Sequence, residues 1–478
     1  MKENSALLTD LYEITMSEGY WKQGLEGAEA CFYAHYRNNP FGGGYSIACG
    51  MEHLAQLIDE FEFTDEDIDY LGSINAGNGK PLFDKGFLEH LRGYRLTLDI
   101  DAPLEGTVMF AYEPIVRVKG PLIDCQLVEP ALLNAVNFET LVATKAARVC
   151  YAAKGPVAEF GLRRAQGPNG GLRASRAAYI GGCASTSNVL CGQVFGIPVS
   201  GTHAHSWVMS FDSELEAFRA FAEAMPHNCI LLVDTYDIPT GLENAIIVGK
   251  EMEARGEKLL GIRIDSGDLA WGTRLARKML DEAGLDYVSV VATNDLDEYT
   301  IASLQSQNAC IDSYGVGTKL ACAYDQPALG GVYKMSALRK SPDQPWEPKI
   351  KLSGQQGKRT LPGVLDILRF RDEDGMYRGD MVYDMSAGQP GTKIFHPFDN
   401  ALRKDLSKFE AQNVLVPLVR GGKSVPLDHD CHAARARVAD EMSRIDESCL
   451  RFMNPGVYPV GLDTNLLETR DRLVAEHE

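Results

Sequence analysis

The stretch Gly196–Trp207 reads GIPVSGTHAHSW. Its apolar run Ile197–Val199 predicts a short buried strand that ends at Gly201 and opens into a loop with two histidines. In α/β barrels, the loops that follow the strands carry the chemistry. Because residues i and i+2 of an extended segment face the same side, His203 and His205 could also hold a metal ion together. A lone histidine is more often a hydrogen-bonded polar residue than a catalyst, so the neighbouring sequence has to decide.

Similar short runs recur on both sides of this stretch and predict a repeated strand–helix pattern. Each run is apolar, closes with polar or glycine residues, and is mostly separated from the next by a helical stretch. The six runs are Val157–Phe160, Ile197–Val199, Ile230–Val233, Leu259–Ile264, Tyr287–Val291 and Ala309–Ile311. This order predicts parallel βα units. Because candidate functional residues follow nearly every run, the pattern favours an irregular α/β barrel over an open doubly wound sheet.

The repeat stops on both sides, which predicts three regions. Residues 1–125 mix helical and strand-like stretches and predict an N-terminal α+β domain. Residues 126–340 hold the barrel and begin with a long apolar-periodic helix over residues 127–150. Residues 341–478 lose the repeat, and we expect this C-terminal region to pack back on the N-terminal domain and complete it.

Composition excludes several classes of protein. The chain has 478 residues and a net charge of -19 without an acidic tail, which argues against bulk binding of nucleic acid. No run approaches the ~18 apolar residues of a membrane span, and the acidic start does not resemble a secretory signal. The eleven cysteines are scattered without a CxxC pair, as is typical of reduced thiols in a cytoplasmic protein. The run DHDCH at Asp428–His432 could hold a metal, but we predict a solvated loop there.

An arginine pair after the first predicted barrel strand suits an anionic, planar substrate. Arg163 and Arg164 lie in EFGLRRAQG, beside Phe160. A guanidinium group binds a carboxylate or a phosphate through two parallel hydrogen bonds. Because the protein as a whole is acidic, an anionic substrate would need such a local positive charge.

Three further stretches at predicted strand ends suit a phosphorylated sugar. GIRIDSGDL (Gly261–Leu269) carries Asp265, which could bind ribose hydroxyls or stabilise developing positive charge, while the amides of Ser266–Gly267 could bind phosphate. YGVGTK (Tyr314–Lys319) is a second candidate phosphate-binding loop. DTYD (Asp234–Asp237) lacks the adjacent acids of the common purine-type phosphoribosyltransferases, although either acid could help to hold magnesium.

Taken together, the motifs resemble those of the nicotinate phosphoribosyltransferase family, which are type II phosphoribosyltransferases. The resemblance covers most of the chain and keeps the motif order. It includes TDLYEITM (Thr9–Met16), NPFGGGY (Asn39–Tyr45), LVATKAAR (Leu141–Arg148), GLRRAQGP (Gly161–Pro168), STSNVL (Ser185–Leu190), GTHAHSW (Gly201–Trp207), DTYD, RIDSGDL (Arg263–Leu269), GVGT (Gly315–Thr318) and GGVYK (Gly330–Lys334). The resemblance implies conversion of nicotinate and 5-phosphoribosyl-1-pyrophosphate to nicotinate mononucleotide and pyrophosphate in NAD salvage, with Mg²⁺ and with ATP hydrolysis through a phosphohistidine.

The resemblance also implies roles for individual residues. His205 would be the phosphorylated histidine, with His203 supporting it, and Asp265 would act on the ribose. Members are typically homodimers with shared active sites, in which Tyr12 and Arg37 of one subunit would complete the site of the other. Phe160 and Tyr12 would enclose the pyridine ring, Arg163 would face its carboxylate, and Arg37 with Mg²⁺ would neutralise pyrophosphate. The remaining substrate-binding positions would be Ser187, Thr202, Arg263, Gly267, Asn294, Gly315, Gly317 and Thr318.

Three alternatives stay open. Nicotinamide phosphoribosyltransferase carries an acidic residue where this chain has Ser187. An aspartate there would accept a hydrogen bond from the amide group of nicotinamide and would repel the carboxylate of nicotinate. Ser187 together with Arg163 therefore favours nicotinate as the substrate. Quinolinate phosphoribosyltransferase would need a basic cluster for two carboxylates and a shorter chain. A non-catalytic phosphosugar-binding barrel is disfavoured by His205 and Asp265, but only an activity assay excludes it.

Overall fold

The structure is a computed structural model that describes residues 6–355, 358–426 and 430–477. Within these residues sixteen α-helices occur: α1 (Leu11–Lys22), α2 (Met51–Asp59), α3 (Asp65–Ser73), α4 (Lys85–Leu91), α5 (Leu122–Leu127), α6 (Glu129–Ala153), α7 (Gly167–Ile180), α8 (Val189–Phe195), α9 (His205–Met209), α10 (Glu214–Ala224), α11 (Ile238–Ala254), α12 (Leu269–Glu282), α13 (Glu298–Ser306), α14 (Thr318–Ala321), α15 (Cys431–Ser443) and α16 (Thr464–Ala475). No helix in these ranges combines the length and apolarity needed to cross a bilayer.

The same ranges contain twenty-one strands: β1 (Glu29–His35), β2 (Ser46–Ile47), β3 (Asp99–Ala102), β4 (Val108–Met109), β5 (Val116–Pro121), β6 (Val157–Glu159), β7 (Ser185–Thr186), β8 (Ile230–Leu232), β9 (Gly261–Ile264), β10 (Ser289–Ala292), β11 (Ser313–Val316), β12 (Val332–Arg339), β13 (Glu347–Pro348), β14 (Leu365–Arg371), β15 (Tyr377–Asp384), β16 (Lys393–His396), β17 (Asp399–Asp405), β18 (Glu410–Asn413), β19 (Val416–Arg420), β20 (Lys423–Ser424) and β21 (Val460–Leu462). The chain divides into two compact units: unit 1 is Met1–Leu141 with Ala328–Glu478, and unit 2 is Val142–Pro327.

Unit 1 combines strands from both ends of the chain. In its described part, one sheet has the order β13-β12-β1-β5-β3-β19-β20, and a second has the order β17-β16-β21-β15-β14-β18. The C-terminal strand β19 pairs antiparallel with the N-terminal strand β3. A buried apolar cluster contains Tyr33 of β1 together with Leu365, Val382 and Leu466. Residues from the predicted N-terminal and C-terminal regions therefore share one sheet and one core.

Unit 2 is a parallel sheet with helices between its strands. Its six strands have the order β7-β6-β11-β10-β9-β8, and every pair is parallel. The strands are short apolar runs such as ILL and SVVA, which is typical of parallel strands covered on both faces. Several helices are capped by a side chain that accepts a hydrogen bond from a backbone amide of the first turn, so the cap fixes where each strand–helix connection ends. The capping residues are Asn188, Ser213, Asp237, Asp268 and Asp297.

The structure confirms a mixed α/β fold with a parallel sheet, but closure into a barrel stays a prediction. Within the described ladders the sheet ends at β7 and β8. The predicted strand Ile197–Val199 is reduced to one parallel bridge between Val199 and Thr186. Ile197 is buried and Val199 is half exposed, and Pro198 between them has no amide hydrogen with which to extend the ladder.

The last strand of unit 2 and the two boundaries between units lie at other positions than the sequence indicated. The last strand of unit 2 is β11 at Ser313–Val316, not Ala309–Ile311, so the prediction for that strand was wrong. Asp312 comes before this strand, and its carboxylate accepts from the amide of Val290. The predicted region boundaries at 125/126 and 340/341 compare with unit boundaries at 141/142 and 327/328, the first of which falls inside α6.

Candidate active site

A cavity of about 460 Å³ in unit 2 is lined by residues that follow its strands. Its lining consists of Phe160, Arg163, Arg164, Ser187, Gly201, Thr202, His203, Ala204, Arg263, Asp265, Thr293, Asn294, Asp295, Gly315, Gly317 and Thr318. Phe160 follows β6, Asp265 follows β9 and Thr293 follows β10. Because these strands are parallel, their carboxyl ends meet at one edge of the sheet and bring distant motifs together.

Most of the site residues predicted from sequence in unit 2 line this cavity. They are Phe160, Arg163, Ser187, Thr202, Arg263, Asp265, Asn294, Gly315, Gly317 and Thr318. His205 is adjacent, with its Nε2 3.8 Å from Oδ2 of Asp265. Gly267 lies in the turn before α12 with a φ of +72° and is not part of the lining. Tyr12 on α1 and Arg37 after β1 belong to unit 1.

Asp265 is the most extensively held carboxylate of the cavity. Its Oδ1 accepts a hydrogen bond from the hydroxyl of Thr293. Its backbone N–H donates to Oδ2 of Asp234 at 2.8 Å, and the hydroxyl of Ser266 donates to the same oxygen at 2.6 Å. These bonds fix the orientation of Asp265 and leave its Oδ2 facing His205. A fixed carboxylate can stabilise positive charge in a reacting ligand without reorganising.

Arg263 supplies a cationic donor to the same cavity. Its Nη1 donates to the hydroxyl of Thr202, while its Nε is buried without a hydrogen-bond partner. Burial lowers the pKa of Arg263 below its ordinary value, and the carboxylates of Asp265 and Asp234 oppose that effect. A guanidinium group remains charged under any such shift. An anionic ligand would satisfy the unpartnered Nε–H group.

The aromatic wall of the cavity depends on a glycine. A Cβ atom at Gly315 would lie 2.7 Å from two ring carbons of Phe160 and 2.6 Å from a methyl carbon of Thr293. Only glycine therefore lets the ring lie against strand β11. This is a packing role, whereas the sequence suggested a phosphate-binding loop for the same glycine.

A buried carboxylate that sequence reasoning missed holds the arginine-bearing turn. Glu159 at the end of β6 accepts from the amide of Gly161, from the hydroxyl of Ser175 at 2.9 Å and from the hydroxyl of Thr186 at 2.7 Å. Its backbone oxygen accepts from the amide of Ser187 at 2.9 Å. Glu159 thus positions the short 3₁₀ turn that carries Arg163. In the sequence, the signal for this role was an acidic residue inside an otherwise apolar predicted strand.

Two other residues contribute, of which Thr235 was absent from the predicted site and Asp234 was considered only as a magnesium ligand. Thr235 lies 3.2 Å from Nδ1 of His205. Asp234, after β8, holds the Asp265–Ser266 turn, and its own Oδ1 is buried without a hydrogen-bond partner. Both lie in DTYD, so their position after a predicted strand was a usable signal.

The two histidines of the opening stretch have different environments and do not form a metal pair. His203 is buried; its Nε2 accepts from the amide of Leu232 at 3.2 Å, and its Nδ1 lies 3.3 Å from the oxygen of Ala204. These bonds define a neutral ring with its proton on Nδ1. Both ring nitrogens are occupied by backbone, so His203 is a structural residue. The other candidate metal motif, Asp428–His432, lies partly outside the described residues.

The stability of the protein is expected to fall on acidification through His203. Burial lowers the pKa of His203 to about 4, whereas an unfolded histidine has its ordinary value of 6.5. The unfolded state therefore binds the proton first, so the stability due to neutral His203 is complete above pH 6.5 and is lost as the pH falls towards 4. We expect His203→Gln to reduce the difference in free energy of unfolding between pH 7 and pH 5 by roughly 1–2 kcal/mol.

Urea titrations of both proteins at several pH values measure this difference. His227→Gln, at an exposed position outside the cavity, is the matched control and should retain the wild-type pH dependence. Identical pH dependence in His203→Gln and wild type would contradict a neutral, buried His203.

Comparison with known proteins places the whole chain in one family. The model of the nicotinate phosphoribosyltransferase (NAPRTase) N-terminal domain matches residues 7–137, the NAPRTase family model matches residues 156–360, and the C-terminal domain model matches residues 366–470. Nicotinate phosphoribosyltransferase of Bacillus subtilis (strain 168) is 40% identical over 480 residues, covering 99% of this chain and 96% of the relative. The Caenorhabditis elegans protein of the same name is 36% identical over 525 residues, covering 97% and 92%. The crystal structure of human nicotinic acid phosphoribosyltransferase superposes with a TM-score of 0.84 at 30% identity, covering 97% of this chain and 99% of that chain.

Proposed function

The chain belongs to the nicotinate phosphoribosyltransferase family, and we propose that it forms nicotinate mononucleotide and pyrophosphate from nicotinate and 5-phosphoribosyl-1-pyrophosphate in NAD salvage. The observation that carries the proposal is the convergence of Phe160, Arg163, Arg263 and Asp265 on one cavity of unit 2. This cavity offers an aromatic wall, two cationic groups and a fixed carboxylate, which are the groups that the two substrates require.

Nicotinate would bind against Phe160 and Arg163. The ring of Phe160 packs so closely on Gly315 that a side chain there is excluded, and the ring also lines the cavity, where it offers an apolar surface to the pyridine ring. Arg163 would bind the carboxylate of nicotinate through its guanidinium fork. Ser187, without charge, would not repel that carboxylate, whereas an aspartate at this position would.

The phosphoribosyl substrate would bind between Arg263 and Asp265. The unpartnered Nε–H group of Arg263 is suited to a phosphate oxygen, and Thr202 fixes the guanidinium group from one side. Asp234 fits a magnesium ion, because carboxylate oxygens are its preferred protein ligands and Oδ1 of Asp234 is buried without a hydrogen-bond partner. Mg²⁺, when bound, neutralises the charge that gathers on the departing pyrophosphate.

The reaction exchanges one bond at the ribose for another. The bond between C1 of the ribose and the pyrophosphate oxygen breaks, and both electrons leave with pyrophosphate. The lone pair of the pyridine nitrogen then forms the new bond to C1. Because positive charge develops on the ribose between these events, Asp265 would lower the barrier electrostatically, and the cavity would hold the two reactants in contact.

His205 would couple the reaction to ATP. A hydrogen bond from Nδ1–H to the hydroxyl of Thr235 would leave the lone pair on Nε2, which could attack the γ-phosphorus of ATP and release ADP. Water would later cleave the phosphohistidine to phosphate. Since His205 is adjacent to Asp265, its phosphorylation would alter the affinity of the neighbouring site for substrate and product.

We propose further that the enzyme acts as a homodimer. Tyr12 is 48% exposed on α1, so a large aromatic side chain is available for contact with a second copy. In the dimer, Tyr12 of the partner subunit would cover the second face of the pyridine ring. Arg37 of the partner subunit would add charge at the pyrophosphate.

Pyrophosphate release tests the proposal directly. It is measured with nicotinate or nicotinamide plus phosphoribosyl pyrophosphate, each with and without ATP, on wild type, His205→Ala and the control His227→Ala. We expect turnover with nicotinate but not with nicotinamide. ATP should stimulate this turnover in wild type and in His227→Ala, but not in His205→Ala. Equal use of nicotinamide would contradict the roles of Ser187 and Arg163. Absence of turnover with either base would favour a non-catalytic phosphosugar-binding protein.

A further inference from the structure

Two cysteine thiols of unit 2 lie next to each other, and neither residue is among those that line the candidate active-site cavity. The Sγ atom of Cys150, near the end of α6, lies 4.0 Å from the Sγ atom of Cys183, in the turn after α7. The two residues are 33 positions apart in sequence, so the fold creates this contact. In a disulfide the same two atoms lie about 2.0 Å apart. A covalent bond between them therefore requires the two side chains to approach each other, without bringing together distant segments.

Two glycines hold the turn that carries Cys183 close against α6. A Cβ atom at Gly181 would lie 2.3 Å from the carbonyl oxygen of Ala143, and a Cβ atom at Gly182 would lie 3.3 Å from the Cβ atom of Cys150. Ala143 and Cys150 are seven residues apart on α6, so both lie on the same face of that helix. Because no side chain separates this turn from the helix, the thiol of the turn and the thiol of the helix meet.

The two thiols differ in their access to solvent. Cys150 is partly exposed, whereas Cys183 is fully buried. An oxidant from solvent therefore reaches Cys150 first, and Cys183 is the neighbouring thiol that can react with the oxidised product. Cys310 is also partly exposed, but its Sγ donates to the carbonyl oxygen of Asn308 and not to a second thiol. Exposure alone thus does not distinguish Cys150; the adjacent buried thiol does.

We propose that Cys150 and Cys183 form a redox-responsive pair that hydrogen peroxide converts to an intramolecular disulfide. First, the thiolate of Cys150 attacks one peroxide oxygen, the O–O bond breaks, and hydroxide leaves, so that Cys150 becomes a sulfenic acid. The thiolate of Cys183 then attacks the sulfur of this sulfenic acid, the S–O bond breaks, and a second hydroxide leaves. The two hydroxides take up the two thiol protons. Overall, two thiols and one hydrogen peroxide give one disulfide and two water molecules.

The disulfide fastens a segment that leads into the candidate active site. The amide of Ala184, next to Cys183, donates to the carbonyl oxygen of Val157 at 2.7 Å, and β7 follows directly. Ser187, which comes after β7, lines the cavity. A covalent link between α6 and this turn restricts local opening of the segment. The link also closes a loop in the unfolded chain, and the entropy that the unfolded state thereby loses stabilises the folded protein.

Peptide mapping of the full chain tests the proposal. The protein is treated with hydrogen peroxide, the remaining thiols are alkylated, and the tryptic peptides are analysed by mass spectrometry. The peptide Val149–Lys154 contains Cys150 as its one cysteine, whereas Cys183 shares a peptide with Cys191, so fragmentation has to assign the linked sulfur. The variants are Cys150→Ser, at a partly exposed position, and Cys183→Ser, at a buried one. Cys310→Ser is the matched control, and circular dichroism establishes that each variant is folded.

In wild type and in Cys310→Ser, we expect peroxide to link Cys150 to Cys183 and dithiothreitol to reverse the link. Peroxide should also raise the thermal unfolding midpoint of these two proteins by about 5 °C, but not that of Cys150→Ser. Oxidation of Cys150 to a sulfinic acid while Cys183 remains alkylated would overturn the proposal. So would a link to a second molecule, a link that persists in Cys183→Ser, an unchanged midpoint in the linked protein, or no reaction at millimolar peroxide. None of these readouts requires turnover, so a failure of the proposed function would be seen separately.

Discussion

Asp265→Asn is expected to lower kcat for nicotinate by about 10²- to 10³-fold, with little change in the KM for nicotinate. The substitution preserves the size of the side chain and its contact with Thr293, but removes the negative charge. In the proposed mechanism, that charge acts on the positive ribose, which exists only as the bond to pyrophosphate breaks. An interaction made mainly in the transition state contributes to kcat, whereas the proposed nicotinate site is formed by Phe160 and Arg163.

Initial-rate measurements at saturating phosphoribosyl pyrophosphate separate kcat from KM. Asp312→Asn is the matched control, since Asp312 comes before β11 and lies at the amino-terminal end of the parallel strands, away from the carboxyl ends. It should retain wild-type kcat. A kcat for Asp265→Asn within threefold of wild type would show that the charge of Asp265 does not act on the reacting ribose.

The location of the candidate site was predictable because parallel strands have a fixed polarity. Once the runs over 157–160, 230–233 and 259–264 are interpreted as parallel strands, the residues that follow them must share one edge of the sheet. Phe160 and Asp265 are distant in sequence, yet both line the same cavity. This inference needs only the strand order, not the exact boundaries.

The supporting residues were harder to predict because their partners are remote in sequence. Glu159 looks like an ordinary strand residue, and only the structure shows that Gly161, Ser175 and Thr186 all donate to it. His203 and His205 look equivalent in GTHAHSW. They differ because Leu232, in the next strand, donates to His203, while Thr235 and Asp265 contact His205.

The strand pairing inside unit 1 could not be predicted from local sequence pattern, although the C-terminal region was expected to pack on the N-terminal domain. Strand β19 is a short run, VPLVR, with weak alternation, and it pairs with β3 more than 300 residues away, where Val416 faces Ala102. Register between such distant segments depends on the packing of the finished core, not on either segment alone. The shift of β11 to Ser313–Val316 has a related cause, because the strand is defined by its pairing with β6 and β10, which involves SYGV and not the more apolar run before it.

A buried ionic cluster explains a motif whose role the sequence left open. LVATKAAR (Leu141–Arg148) places Lys145 and Arg148 three residues apart on α6, so both lie on one face of the helix. The Nζ of Lys145 lies 2.7 Å from Oε2 of Glu298, and the Nε of Arg148 lies 2.8 Å from Oε1. All three side chains are at most 1% exposed. The motif therefore joins α6 to α13 within unit 2, and its residues are not among those that line the candidate active-site cavity.

Glu298→Gln is expected to lower the free energy of unfolding by about 3–5 kcal/mol. Glutamine retains the shape of the side chain but removes the carboxylate that pairs with both buried cations, of which Lys145 also pairs with the partly exposed Asp325. An uncompensated charge in the protein interior cannot be solvated, so the native state bears the full cost. Urea-induced unfolding followed by circular dichroism measures the change in midpoint.

Glu282→Gln is the matched control, because Glu282 pairs with Lys278 at 3.8 Å on the exposed face of α12, where both side chains are about two-thirds exposed. A surface pair of this kind contributes about 0.2–0.5 kcal/mol. If Glu298→Gln shifted the midpoint no more than Glu282→Gln, the cluster would not be a stabilising element of unit 2. A large shift with unchanged KM for nicotinate would instead show that the spacing of Lys145 and Arg148 in the motif serves folding, and that the candidate active-site cavity is built on a scaffold whose stability is set elsewhere in the same unit.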